Sequence, residues 1–279
     1  NGSAALSVAG KILNWGKKDI IVTTPLTFVA TANCILHSGS KPVFIDIDDN
    51  QTIDCDKLER LAVDLKKKGK KIHTVIGVDY AGNVCDWKRL NILKKKFRFK
   101  LVNDNCHAIG SKYFENLGYA IKYADIVTLS FHAVKAFTTA EGGALLLKNF
   151  NQKKKSEILR NQGLIKNSKY PWICDVVALS SNYRLSELQS ALGISQIKKL
   201  NNFVKKRREI SKIYDQIFIK DKLFKIPSVR KNCSHSYHLY PLQIDFKCLK
   251  ISKIDFIKFL KQNSIIGQVH YIPIYKFNI

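Results

Sequence analysis

The chain has 279 residues, 46% of them hydrophobic, enough for one large buried core or for a large and a small domain together. No apolar run approaches the ~20 residues of a membrane-spanning helix. The net charge of +25 raises a nucleic-acid reading, but the runs Lys66–Lys68, Lys94–Lys96, Lys153–Lys155 and Lys205–Arg208 lack the interleaved aromatics that stack on bases.

In chain order, Asn1-Gly2-Ser3-Ala4-Ala5 stands just before an apolar helical pattern. Strands are expected at Asp19–Thr24, Lys41–Asp46, Thr74–Asp79, Lys100–Asn103, Ile126–Phe131 and Gly143–Leu147. Several are near-continuous apolar runs, the mark of strands buried on both faces of a mainly parallel sheet. Between them, Leu58, Leu61, Ala62 and Leu65, and then Trp87, Leu90, Leu93 and Phe97, fall at helical spacing, so strand and helix alternate as in an α/β layered domain. A long helical stretch from about Ser186 to Ile217 comes next, with Asn201 and Asn202 as its expected break. Beyond Pro227 the texture changes, with strands expected near Tyr237–Phe246 and Ile265–Ile272 around a helix near Ile254–Gln262. The expected division is a large domain over 1–185, then a linking helix and part of a smaller α+β domain over 186–279.

The seven Cys are odd in number and include no C-x-x-C pair, which reads as reduced thiols of the cytoplasm. Cys233, His235 and His238 lie close together, but no second ligand pair stands nearby at zinc-site spacing, so no metal is expected. Asn1 to Ala9 lack the layout of a secretory signal. There is no Met, so the chain is expected to be a piece of a longer protein.

Ligands of open α/β sheets gather outside the carboxyl ends of the strands. The residues just past each expected strand are therefore informative: Thr24 to Phe28, Asp79 to Asn83, Asn103 to His107, and Ser130 to Lys135. These groups meet the demands of pyridoxal 5'-phosphate (PLP) chemistry. Lys135 offers the amine that attacks the aldehyde, and Asp104 the carboxylate that keeps the pyridine nitrogen protonated. His107 offers a donor for the phenolic oxygen, and Phe28 an aromatic face for the ring. The helix start at Asn1 to Ala5, with Ser3 and Ala4, suits the phosphate. Taken singly each has a plainer reading: a solvated lysine, a capping Asp–His pair, a core phenylalanine. The order of the whole set carries the assignment.

The stretches NGSAAL, TTPLTFVATAN, GSKPVFIDID, VDYAGNVCD, DNCHAIGSKY, SFHAVKAFTTAEGGA, RNQG and SNYRLSELQSALGISQIKKL, with the later HLYPLQ and QVHYIPIY, resemble the DegT/DnrJ/EryC1/StrS family of sugar aminotransferases. The resemblance spans nearly the whole chain. It implies a fold type I PLP-dependent transferase: a large domain with a mixed, mainly parallel sheet, and a smaller C-terminal α+β domain that is truncated here, as is a segment before Asn1. It implies Lys135 as the Schiff-base lysine, Asp104 as the partner of the pyridine nitrogen and His107 near the phenolic oxygen. Phe28 would stack on the ring, and Ser3, Ala4 and Ser130 would contact the phosphate. Asn182 would reach the cofactor phosphate of a neighbouring subunit, which implies a homodimer with shared sites; alternatively Asn182 caps the helix starting near Ser186. Tyr80 and His132 lie in matching loops without an assigned role. The implied reaction moves an amino group from L-glutamate to a UDP-linked 4-keto-6-deoxy sugar. Asn103 and Asn105-Cys106 depart from the commoner acidic and small residues around Asp104. The rival readings are a sugar dehydratase of the same family, which would carry His in place of Lys135, a catalytically silent regulatory member, and a basic nucleic-acid-binding protein.

Overall fold

The computed structural model describes residues 1–278. In chain order the elements are α1 (Gly2–Ile12), β1 (Ile20–Thr23), α2 (Val29–His37), β2 (Lys41–Phe44), α3 (Cys55–Lys67), β3 (Ile72–Val78), α4 (Trp87–Phe97), β4 (Lys100–Asp104), β5 (Lys112–Tyr113), α5 (Tyr119–Tyr123), β6 (Ile126–Ser130) and β7 (Gly143–Leu147). They continue as α6 (Phe150–Arg160), β8 (Leu164–Lys166), β9 (Cys174–Val176), α7 (Glu187–Ile197), α8 (Leu200–Phe218), β10 (Phe224–Lys225), β11 (Cys233–Ser234), β12 (Gln243–Ile244), α9 (Phe246–Leu249) and α10 (Lys253–Gln262).

The central sheet has the order β2-β1-β3-β4-β6-β7. All neighbours are parallel except β6 and β7, which run antiparallel with Ser130 opposite Gly143. Alternate side chains of each strand enter different cores. Val22, Val75, Leu101 and Val127 pack with Leu58, Trp87 and Leu90 of α3 and α4. Their neighbours Ile21, Ile76, Val102 and Ile126 pack with Leu6, Ala9 and Ile35 of α1 and α2, and with Leu159 of α6. Burial on both faces explains the continuous apolar runs. Asp54 and Asp86 cap α3 and α4 through their side chains, satisfying N–H groups that the first turn of a helix leaves free.

The chain leaves β1 for β2 on one side and returns to β3 on the other. That reversal opens a crevice at the carboxyl ends of the strands, and the loops after β1, β3, β4 and β6 surround it.

The later part departs from expectation. The long helix breaks at Lys198–Lys199, between α7 and α8, rather than at Asn201. Of Tyr237–Phe246 only Gln243–Ile244 is strand, and Ile265–Ile272 contains none. Apart from the two-residue pairing of β12 with β10, the backbone there is bound to the large sheet's loops. Ser236 and Leu239 donate their N–H groups to Gly82 and Ala81, and Arg207 donates to the carbonyls of Tyr237 and His238. Tyr80 donates its hydroxyl to the His270 carbonyl, and Ile274 its N–H to Pro25.

Candidate active site

Asp104 ends β4. Its side chain follows Val102 onto the α1/α2 side, where it is 5% exposed. The Thr31 hydroxyl donates to Oδ2 at 2.7 Å and the Cys106 N–H to Oδ1 at 3.2 Å. Thr31 sits in the first turn of α2, and its hydroxyl also meets that of Thr27 at 2.9 Å. A buried carboxylate is costly unless donors satisfy it; Thr31 and the Cys106 amide do so while fixing its direction.

His107 lies one turn further on, fully enclosed. Burial first, and then the neighbouring His238, holds its pKa well below the ordinary imidazole value, so the ring is neutral. The Ala81 N–H points at Nδ1 from 3.3 Å. Nδ1 therefore accepts, and the ring's single proton resides on Nε2. Nε2 is 3.3 Å from the Tyr271 hydroxyl. His107 thus presents a donor toward the crevice.

Lys135 stands in the loop between β6 and β7, with its N–H bonded to the His132 carbonyl at 2.9 Å. Burial lowers the pKa of its amine, and the nearby Cys106 and Asp104 oppose that effect. A desolvated amine is more often unprotonated, the state in which nitrogen is a nucleophile or base.

Lys135, Asp104, His107, Phe28, Ser3 and Ser130 all line one cavity of about 480 Å³. Phe28 is 53% exposed, with its ring centroid 6.0 Å from that of Tyr271, so its face is free to receive a planar ligand. The start of α1 closes the opposite wall. A Cβ on Gly2 would lie 2.9 Å from the Ser130 Cβ and 3.3 Å from the Cys106 sulfur. The helix start and β6 are therefore in contact because residue 2 has no side chain. The positive end of α1 and the hydroxyls of Ser3 and Ser130 make an anion cradle. One N–H there is already used, since the Asn1 side chain accepts from Ala4 at 2.9 Å. Across the cavity, the His238 ring lies 4.4 Å from that of His107, and its buried Nδ1 has no partner among the described residues. An amine, a carboxylate, an imidazole donor, an aromatic face and an anion cradle in one cavity fit PLP.

Ala4 and Asn182 line an adjoining cavity of about 700 Å³ that shares Asn1, Ser3 and Phe28 with the first. Asn182 does not cap α7. Ser186 does so, in a reciprocal capping box with Gln189, while the Asn182 side chain accepts from the Arg184 N–H at 3.2 Å. Tyr80 is buried beneath the site, and His132 faces Glu141 at 3.6 Å on the rim. Of the suspected metal ligands, Cys233 is on β11, His235 accepts the Tyr237 N–H and His238 faces His107. No cluster of metal-ligating side chains occurs among the described residues. Thr31 and Tyr271 escaped the sequence reading, which weighed His238 only as a metal ligand. Thr31 had a signal, standing one helical turn after Thr27, but α2 itself was not expected; Tyr271 lies in a segment that carried no role.

This is the layout of an aminotransferase, with a lysine on a loop at the carboxyl edge of a mainly parallel sheet. The chain matches the DegT/DnrJ/EryC1/StrS aminotransferase family over residues 1–279 and belongs to that family of PLP-dependent enzymes. It is 40% identical, over 100% of its own length and 72% of the relative's, to the UDP-4-amino-4,6-dideoxy-N-acetyl-beta-L-altrosamine transaminase of Campylobacter jejuni serotype O:2. The Helicobacter pylori protein of the same name is 36% identical, over 93% of this chain and 66% of the relative. Among solved structures, Helicobacter pylori PseC, an aminotransferase of pseudoaminic acid biosynthesis, superposes with a TM-score of 0.86 at 34% identity, covering 100% of this chain and 72% of that one. A Streptococcus pneumoniae protein assigned as a sugar aminotransferase, solved in its PLP form, gives 0.83 at 26% identity, over 99% of this chain and 73% of its own. No helix among the described residues is long and apolar enough to cross a membrane.

Proposed function

We propose that the protein is a cytoplasmic, homodimeric PLP-dependent aminotransferase that transfers an amino group from L-glutamate to a UDP-linked 4-keto-6-deoxy sugar, in pseudaminic acid biosynthesis. The observation that carries the chemistry is the single cavity shared by Lys135, Asp104 and His107. The names of the Campylobacter and Helicobacter relatives support the sugar and its nucleotide.

Bound there, PLP supplies an aldehyde and an electron-accepting ring. Asp104, held by Thr31, keeps the proton on the ring nitrogen. His107 Nε2 donates to the phenolic oxygen, and its neutrality prevents it from competing as an acid. Phe28 covers one ring face. Ser3, Ser130 and the start of α1 hold the phosphate, with Ala4 shaping the adjoining wall. The Lys135 Nζ would hold the cofactor through its aldehyde and, when free, would serve as the base and acid that moves the proton of the donor carbon. Asn182 completes the phosphate site of a second copy. That role is supported by its position beside Ser3 in the adjoining cavity and by the exposed apolar surface nearby, where Leu179 and Leu188 are 92% and 86% exposed.

The test is an absorbance titration of the full-length protein with PLP, followed by borohydride reduction and peptide mapping, then a screen of keto-sugar nucleotides with glutamate. Label on Lys135 and turnover of a UDP-linked 4-keto sugar are expected. Label on another lysine overturns the site assignment.

A further inference from the structure

A second carboxylate lies behind Asp104, on the opposite face of the sheet. Asp79 follows β3, is completely buried and belongs to no part of the chemistry described above. Five donors converge on it. Oδ1 accepts from the Cys85 N–H at 2.8 Å and the Trp87 indole at 3.1 Å. Oδ2 accepts from the Asn103 amide at 3.0 Å, the Asn105 amide at 2.9 Å and the Tyr119 hydroxyl at 2.8 Å. Its own N–H donates to the Asp104 carbonyl at 3.1 Å.

Asn103 and Asn105 are the residues on either side of Asp104. Strand periodicity sends their side chains away from the cofactor face, while Asp104 points toward it. Both amides end on the same oxygen, so Asp79 grips the peptide on each side of Asp104. The grip comes at a cost: Asn103 turns its amide nitrogen to Asp79 and leaves its own buried Oδ1 without a partner among the described residues. An unpaired buried carbonyl is unfavourable, so the carboxylate dictates how this amide lies.

We infer that Asp79 is a positioning residue for the reaction. Through Asn103 and Asn105 it fixes the end of β4 and hence the direction in which the Asp104 carboxylate meets the cofactor nitrogen. This rests on the role of Asp104 proposed above.

The test is a double-mutant cycle in the full-length protein, read by the Kd for PLP and by kcat and KM separately. Asp79→Asn is expected to raise the PLP Kd and lower kcat on the order of tenfold, the scale of a lost hydrogen bond to a charged group, with the KM for the sugar unchanged. In an Asp104→Asn background the same change is expected to alter neither by more than about twofold, because residues acting through one another are not additive. The exchange Asp79→Asn with Asn103→Asp, which moves the carboxylate across the same hydrogen bond, is expected to restore PLP affinity. If Asp79→Asn does not fold, Asn105→Ala enters the same cycle with the same expectation. Additive losses overturn the inference while leaving Asp104 in its role; an Asp104→Asn variant with normal turnover overturns both.

Discussion

Acidification tests the packing of the site directly, because its imidazoles are buried uncharged. His107, His235 and His238 are 6%, 3% and 8% exposed. Burial first lowers all three: His235 and His238 are pushed down to about 3 and His107 falls well below its ordinary value. In the unfolded chain each takes up a proton below about pH 6.5. Between that pH and the folded-state values the unfolded state binds more protons, so stability falls as pH falls, by about 1.4 kcal/mol per pH unit for each group. Asp79 acts in the opposite sense. Burial raises its carboxyl to about 6, so on acidification it takes up a proton in the folded protein before the unfolded chain does. It offsets one imidazole between about pH 6 and pH 4. His235 and His238 leave one proton uncompensated and His107 adds to it, which gives a loss of between about 1.4 and 3 kcal/mol per pH unit over that window. One such unit is a large share of a typical net stability of about 5–15 kcal/mol. Urea unfolding followed by circular dichroism at pH 7, 6, 5.5 and 5 measures the slope. His235→Gln, remote from Lys135, is expected to reduce it by about 1.4 kcal/mol per unit. A slope below about 1 kcal/mol per unit between pH 6 and 5, or one that His235→Gln does not change, refutes the reasoning.

Thr31→Val keeps the side chain's shape and removes the hydroxyl from Asp104; a loss of about 1.5–3 kcal/mol is expected in urea unfolding, and one below about 0.5 kcal/mol would show that the contact contributes little. Gly2→Ala drives a Cβ against Ser130; it is expected to destabilise by about 1–3 kcal/mol and to weaken PLP binding in a fluorescence titration, and unchanged affinity would remove the α1 start from the phosphate site. Asn182→Ala and Lys135→Ala chains are each expected to be impaired alone and to recover part of the turnover when mixed, because one site of the heterodimer keeps both groups. No recovery, with heterodimers demonstrated, would mean that each subunit completes its own site.

The sheet was legible because burial on both faces writes itself as uninterrupted apolar strands, and all six expected strands of the large sheet are present within a residue or two at each end. The candidate site was legible as a place because residues just past those strands share one crevice: Asp104, His107, Ser130 and Lys135 are brought together by strand ends alone. What escaped depends on contacts distant in sequence. Thr31 reaches Asp104, and Tyr271 reaches His107, across intervals that no local period reports. The segments Tyr237–Phe246 and Ile265–Ile272 alternate as a strand would, yet backbone groups in them are bound by Arg207 and by the loop after β3, so tertiary partners override the pattern.

The reversal of β7 has a dynamic consequence for the lysine. Had β6 been followed by another parallel strand, the chain would have had to cross to the far end of the sheet before pairing again. Instead the loop 131–142 leaves and returns at the same edge. Its base is pinned where Phe131 donates to Gly142 and Thr139 to Phe131, each at 2.9 Å. Gly143 lets the returning strand pass within contact of Asn1, since a Cβ there would meet the Asn1 carbonyl at 2.5 Å. The backbone that carries Lys135 is therefore tied to the sheet and to the start of α1. In the role proposed for it, the amine's travel would fall to rotations of its four-carbon arm. Such rotations take picoseconds to nanoseconds, whereas a hinged loop takes far longer.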